Sequence, residues 1–356
     1  MTKPIPGLLL VVAVVVPLGC DTGSGQTADP RPEAVSSAAD FIPPTVTLES
    51  RDLTQMDIER LMGELSNWGR WGPDDQLGTA NLITPAKRLE ALSLATEGIT
   101  VSLAHPLLTE EADDVTQPFD LSMLVVPDPS VEPPLMGGAL DQYSIAYHGY
   151  AHSHIDALCH IMYRGQMYNG VSADTITAEG CSNAGIDNLQ GGIVTRAVLF
   201  DIPRLKGVEY LEPGTPIYRE DLDAWEEMAD VTVRPGDVIL IRTGRWARRA
   251  ELGPWDVAAQ SAGVHASAMP WVKARDVSFI GSDAALDVLP SQVEGVGIPV
   301  HMLTIVAMGI DLFDNLDLEV LAGTAARLNR WEFMLVAAPL AVEGGTGSPV
   351  NALAIF

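Results

Sequence analysis

The sequence is poor in lysine: only Lys3, Lys87, Lys206 and Lys273 occur in 356 residues, and 47 acidic side chains face 21 basic ones for a formal charge of −26. Such a surface repels nucleic acid and anionic membrane, so neither is an expected partner. The same imbalance is also compatible with salt adaptation of the host. Cysteine is scarce as well, with three residues, which excludes a disulfide-rich scaffold. Aromatics make up 6% of the chain. Past the N-terminus no run of about 18 apolar residues suggests a membrane span, and the body contains neither repeats nor low-complexity segments.

What is present at the N-terminus reads as targeting rather than fold. Lys3 gives a thin positive region, Leu8 to Val16 an apolar stretch too short to span a bilayer, and Leu18-Gly19-Cys20 ends it. This is similar to a bacterial lipoprotein signal in which Cys20 becomes the lipidated first residue. Pro17 stands where such signals usually carry Leu, so plain secretion is the alternative. The expected location is the periplasm or cell envelope, with contact to membrane only through the lipid anchor. Residues 21–48, rich in Gly, Ser, Thr, Ala, Pro and Asp, read as a flexible tether, and residues 49–356 as one domain. Cys159 and Cys181 remain after processing. An oxidising compartment permits a bridge between them, but buried single thiols are common, and free thiols are the expectation.

The body mixes strand and helix patterns. Strands are expected at Thr100–Ala104, Ser122–Val126, Ser144–Asp156, Val194–Ile202, Asp237–Thr243, Ser278–Gly281 and Glu332–Val342. Helices are expected at Thr54–Leu65, Arg219–Ala229, Ala262–Arg275, Pro299–Met308 and Leu318–Leu328. Another starts at Thr84-Pro85, an N-cap followed by proline, and should run to about Glu97. The mixture indicates an α/β or α+β domain.

Chemistry concentrates between Tyr143 and His160, YSIAYHGYAHSHIDALCH, which holds four of the seven histidines. In a strand, alternate side chains share a face roughly 6.6 Å apart. His148, Tyr150, His152, His154 and Asp156 would then form one row. Imidazoles and a carboxylate converging in this way suit a divalent cation of the Zn or Mn type. Burying so many polar groups without partners would cost roughly 1–3 kcal/mol each, which disfavours a purely packing role. His160 lies past the row and is placed to act as a base. His105 and His265 have no acidic or histidine neighbour at a useful spacing and read as structural.

The segment S-H-I-D-A-L-C-H resembles the T-H-x-D-x-x-x-H portion of H-x-G-T-H-x-D-x-P-x-H. That motif marks the cyclase family of metal-dependent hydrolases, which includes bacterial kynurenine formamidase and isatin hydrolase. His154, Asp156 and His160 fall on its second His, its Asp and its last His. Tyr150 stands where the first His ligand belongs, His152 where the Gly does, and Leu158 replaces the Pro. The resemblance therefore implies a ligand set rearranged around His152, with the Tyr150 phenol as the alternative.

The resemblance runs from Trp68 to the C-terminus and implies a swivelling β/β/α domain. W-G-x-x-D-x-L-G-x-x-N from Trp71 to Asn81 is similar to the opening segment of larger members, where Trp68 and Trp71 would wall a substrate pocket or simply pack a loop. Gly281-Ser282-Asp283 through Asp287 looks like the family's G-x-D-x-x-x-x-D segment bordering the active site. His301 and Asp314-Asn315-Leu316 look like its H-x-x-L-x-x-x-G-I…E-N-L segment, which implies metal binding by His301 and Asp314. The shorter acid at a shifted spacing points to one metal rather than two. Arg245 would either bind a substrate carboxylate or end a strand at the surface. Gly344 to Pro349 lacks the Lys-Ser/Thr of a phosphate loop and reads as a loop lining the pocket. The function implied is hydrolysis of a small amide, lactam or formamide. A metal-dependent lyase or cyclase, or a non-catalytic binding lipoprotein, is the alternative, and a homo-oligomer is expected.

Overall fold

The computed structural model describes residues 50–132 and 134–356. The expected signal segment, Cys20 and the expected tether lie outside them.

A nine-stranded sheet organises the chain. Its middle is four parallel strands, Ile193–Asp201, Val238–Arg242, Phe279–Ser282 and Leu312–Asp314, adjacent in that order. Val238-Ile239-Leu240-Ile241 is buried throughout, as expected of a parallel strand covered on both faces. Antiparallel strands extend both sides. Glu332–Ala337, Leu353–Ile355 and Thr100–Ser102 follow Ile193–Asp201. His154–Asp156 and then Gly347–Pro349 follow Leu312–Asp314. The expected α/β class is what the chain adopts.

Local signals account for several helices. Gln55–Glu64 begins with a capping box between Thr54 and Asp57 and buries Ile58, Leu61 and Met62, one stripe at helical spacing. Arg219–Ala229 occupies the expected range. Pro85–Leu92 starts at Thr84 as expected but ends short of Glu97. The Glu97 N–H instead donates to Phe356 O (3.0 Å), tying the chain to the C-terminal strand.

Other expectations need correction. Ala262–Arg275 is not one helix: Gly263–Val264 pairs with Pro216–Ile217, and a helix forms only over Met269–Ala274 with Pro270 in its first turn. A proline further inside a helix would lack its N–H and clash with the preceding turn. Glu332–Val342 stops as a strand at Ala337, where Pro339 cannot donate to a ladder. Pro299–Met308 begins as α-helix and widens into a π-turn over Met302–Met308.

The correction with most consequence concerns Ser144–Asp156. Leu140–Ser144 closes a separate hairpin with Asp120–Val125, and only His154–Asp156 joins the main sheet. Residues 148–151 form a turn in which Gly149 takes φ +119°. The single-faced row of side chains therefore does not exist. Cys159 and Cys181, expected as free thiols, are joined in a disulfide with Cα atoms 6.5 Å apart.

Candidate metal centre

Asp156 is the hub. Its strand lies against Leu312–Asp314, with Asp314 directly opposite His154, so these two side chains share a face. His154 Nδ1 donates to the His152 carbonyl (2.8 Å), which leaves Nε2 as a lone pair. That Nε2 lies 3.3 Å from Asp156 Oδ1. His148 Nδ1 approaches the same oxygen to 2.9 Å, with His160 Nε2 and His301 Nε2 each 3.8 Å from Asp156 Oδ2.

His301 is aimed by Asp287. This carboxylate accepts from the Val300 N–H (2.8 Å) and the His301 N–H (3.1 Å) at the helix start, and from His301 Nδ1 (2.6 Å). The fixed tautomer turns His301 Nε2 towards Asp314 Oδ2, 3.3 Å away. A carboxylate behind an imidazole is the usual arrangement for holding a metal-binding histidine.

His148 comes from the turn rather than from a strand. Its Nε2 pairs with Thr346 Oγ1 (2.8 Å), and its ring stacks on His160 with centroids 3.9 Å apart and planes 3° from parallel. Gly347 sits opposite Asp156 in the ladder. A Cβ there would lie 2.4 Å from Ile155 O and 3.0 Å from the His148 ring, so glycine is what lets the ring approach.

The charge balance of these groups favours a cation. Burial alone would raise Asp156, but His154, His148 and His160 outweigh it and hold the carboxyl well below the usual range. Burial alone would lower His301, but Asp287 and Asp314 outweigh it and hold it well above the ordinary imidazole value. His160 is pushed down to about 4, first by burial and then by the neighbouring imidazoles, against the pull of Asp156.

The donors also fit a metal. Asp156 Oδ1, Asp314 Oδ1 and His148 Nδ1 are buried and have no hydrogen-bond partner among the described residues. His148 Nδ1 and Asp156 Oδ1 are close without an aligned hydrogen bond, as two lone-pair donors facing a common point would be. Such orphaned groups cost about 1–3 kcal/mol each, a cost that a shared divalent cation removes. Among the described residues two donor triads are present, His148–Asp156–His160 and His154–Asp156–Asp314. Imidazole with carboxylate is a donor set that Zn or Mn accepts.

His154, Asp156, His160, His301 and Asp314 are thus brought together, while five other expected residues, His152, Tyr150, Trp68, Trp71 and Arg245, stand outside this cluster. His152 is outside the cluster: its Nε2 donates to Gln117 O (3.3 Å). The turn at 148–151 breaks the alternation that would have aligned it with His154, and His148 occupies the place by Asp156. Tyr150 lines a cavity of about 230 Å3 shared with His148, Asp113, Thr116 and Asp256. Trp68 donates to Val306 O (2.7 Å) and faces Gly170, and Trp71 lies under Arg70. Neither lines that cavity. Arg245 is neither a strand-end surface residue nor open to a substrate, since its side chain is 1% exposed. His105 stacks on Trp246 at 3.7 Å and His265 pairs with Ser267.

The sequence places His148 in the row but not as the close partner of Asp156, and the Gly344–Pro349 loop at the pocket without singling out Thr346 or Gly347. The one local signal was Gly149 immediately after His148, which permits a turn there.

The fold has counterparts. A family model described as "Putative cyclase" matches residues 101–286. A crystal structure described as a novel cyclase is 30% identical, with a TM-score of 0.76 over 87% of this chain and 100% of that one. Isatin hydrolase A from Ralstonia solanacearum is 23% identical, with a TM-score of 0.51 over 76% of this chain and 97% of that one. Isatin hydrolase A from Labrenzia aggregata is 18% identical, with a TM-score of 0.50 over 75% and 98%. No curated protein matches the sequence. On the family match, the 30% identical structure and the shared fold, the chain belongs to the cyclase family of metal-dependent hydrolases.

Proposed function

We propose that this protein hydrolyses a small amide, lactam or formamide with Zn or Mn held by His148, His154, Asp156, His301 and Asp314. The observation that carries the reading is the gathering of four imidazoles around one buried carboxylate, with orphaned donor atoms facing inward. The likeness to isatin hydrolases supports a C–N bond in a small ring as the target.

When held by His148, His154, Asp156, His301 and Asp314, a divalent cation would supply the positive charge to acidify water and polarise a carbonyl. His160 accepts the water proton and returns it to the departing nitrogen. Its ring is suited to this because burial keeps it neutral at ordinary pH and the His148 ring fixes its plane. Asp287 and Thr346 hold His301 and His148 in place. Tyr150 forms part of the wall against which a substrate of modest size would lie.

Elemental analysis of the purified protein, followed by turnover of anilide, formamide and lactam substrates with added Mn or Zn, tests the reading. Metal-free protein that cannot be reconstituted overturns it. Metal-loaded protein that turns over none of these substrates points to the family's cyclase chemistry instead.

The periplasmic, lipid-anchored location belongs to the same proposal, supported by the Leu18-Gly19-Cys20 signal and by the Cys159–Cys181 bridge, which suits an oxidising compartment. So does a homo-oligomer: the hairpin Asp120–Val125 with Leu140–Ser144 exposes Leu121, Met123, Leu124 and Leu140, and a two-stranded hairpin is marginal without further packing.

The ligand assignment has its own test. His148→Ala is expected to weaken divalent-metal binding sharply while His152→Ala and Tyr150→Phe retain it. Metal retention by His148→Ala together with loss in His152→Ala, measured by metal stoichiometry after dialysis, would reverse the assignment.

A further inference from the structure

Arg245 is buried close behind the metal centre, yet it touches none of the proposed ligands. Its guanidinium donates to Asn315 Oδ1, to Asp114 Oδ2 (3.2 Å) and to the backbone oxygen of Tyr150, three acceptors from three separate stretches of chain. Asp114 is held from a second side by Arg249 Nε (2.7 Å). Asn315 in turn donates its amide to Gly149 O (2.6 Å), accepts from Ser153 Oγ at its own carbonyl (2.7 Å), and donates its backbone N–H to Ala284 O (3.0 Å). Its φ of +54° lies in the left-handed region, which asparagine tolerates better than most residues.

The positions of these contacts are informative. Gly149 and Tyr150 directly follow His148, and Asn315 directly follows Asp314. The clamp therefore joins the turn that carries one donor to the strand end that carries another. Gly149, without a side chain, gives that turn no anchor of its own, so the backbone carbonyls are where it can be gripped. Burial of a guanidinium is costly, and Arg245 Nε has no hydrogen-bond partner among the described residues, so packing alone does not explain its place. A lysine could not replace it, because a single ammonium lacks the planar fork that reaches several acceptors at once.

We propose that Arg245 and Asn315 are positioning residues that set His148 beside Asp156 and thereby determine how tightly the centre takes a divalent cation. The proposal rests on the metal-binding reading above.

The test uses the full chain freed of metal and titrated with Co2+, read by visible absorption, with thermal unfolding of the metal-free protein as a check on the fold. Asn315→Gly keeps the left-handed backbone accessible and removes only the amide; Arg245→Lys keeps the charge and removes the fork. Each is expected to weaken Co2+ binding about 10–100-fold, the usual effect of losing a residue that orients a ligand, and to alter the cobalt absorption band. In a His148→Ala background the same substitutions should cause no further weakening, because they act through that ring. Wild-type-like binding by Asn315→Gly, or losses that simply add to that of His148→Ala, overturns the proposal. Should Arg245→Lys fail to fold, Asn315→Gly alone decides. A wild-type chain that takes up no Co2+ overturns the metal reading, and this proposal with it.

Discussion

His154→Ala and Asp156→Ala proteins are expected to purify without divalent metal and to show no turnover above the uncatalysed rate. Asp156 contacts donors on every side, with His148 and His154 at one oxygen and His160 and His301 nearest the other. Its removal leaves neither triad complete. His154 stands opposite Asp314 in the ladder, so its loss opens the second triad. Both substitutions also leave buried partners unpaired, at about 1–3 kcal/mol each, so folding must be checked by circular dichroism beside metal stoichiometry. A folded, metal-loaded Asp156→Ala protein would remove the basis of the mechanism.

The second large effect separates base from ligand. His160→Ala or His160→Gln is expected to keep near-wild-type metal content, still bind substrate, and lose about 10²–10⁴ in kcat, the usual contribution of a general base. Its side chain is partly exposed, unlike those of His154 and His301, and its Nε2 stands 3.8 Å from the shared carboxylate. The neutral ring is the working form, so the rate should rise with pH through its titration. Burial lowers that titration below the ordinary value, which puts the rising limb on the acid side. The mutant should lose that limb. Metal stoichiometry measured beside kcat and KM across pH decides the matter. A mutant that purifies without metal makes His160 a ligand, and an unchanged kcat makes it structural.

Features governed by near neighbours were legible in the sequence. Thr54 with Asp57, and Thr84 with Pro85, mark helix starts because a cap is satisfied within three residues. The apolar run at Val238 marks a buried strand because burial on both faces needs no distant information. Asp156, His154 and His160 were singled out by their crowding, and they meet in space. The strand expected over Ser144–Asp156 does not form across residues 145–153, because alternation of polar residues does not by itself fix an extended chain. Whether residues 145–153 extend or turn is decided by Thr346, Gly347, Arg245 and Asn315, all more than ninety positions away. The burial of Arg245 is illegible for the same reason: nothing beside it in the chain announces that Asp114, Tyr150 and Asn315 will close around it. Asp283 offers the milder case. A polar residue at a strand end was expected near the site, and it instead accepts from the Thr243 and Gly244 N–H groups (both 2.8 Å), fixing the start of the helix that bears Arg245.

The antiparallel placement of His154–Asp156 beside Leu312–Asp314 has a thermodynamic corollary. His148, His154 and Asp156 come from one stretch and His301 and Asp314 from another some 150 residues on, and the two groups meet only once that ladder and the helix start at Pro299 have formed. The denatured chain has no comparable pocket of ligands, so a cation that prefers the native state acts as a mass-action stabiliser. At one hundred times its dissociation constant it adds about 2.7 kcal/mol. The midpoint of heat denaturation should therefore climb with the concentration of free Mn or Zn, and do so before any substrate is present. In such a protein, the supply of metal ions in the surroundings sets how long the enzyme survives as well as how fast it works.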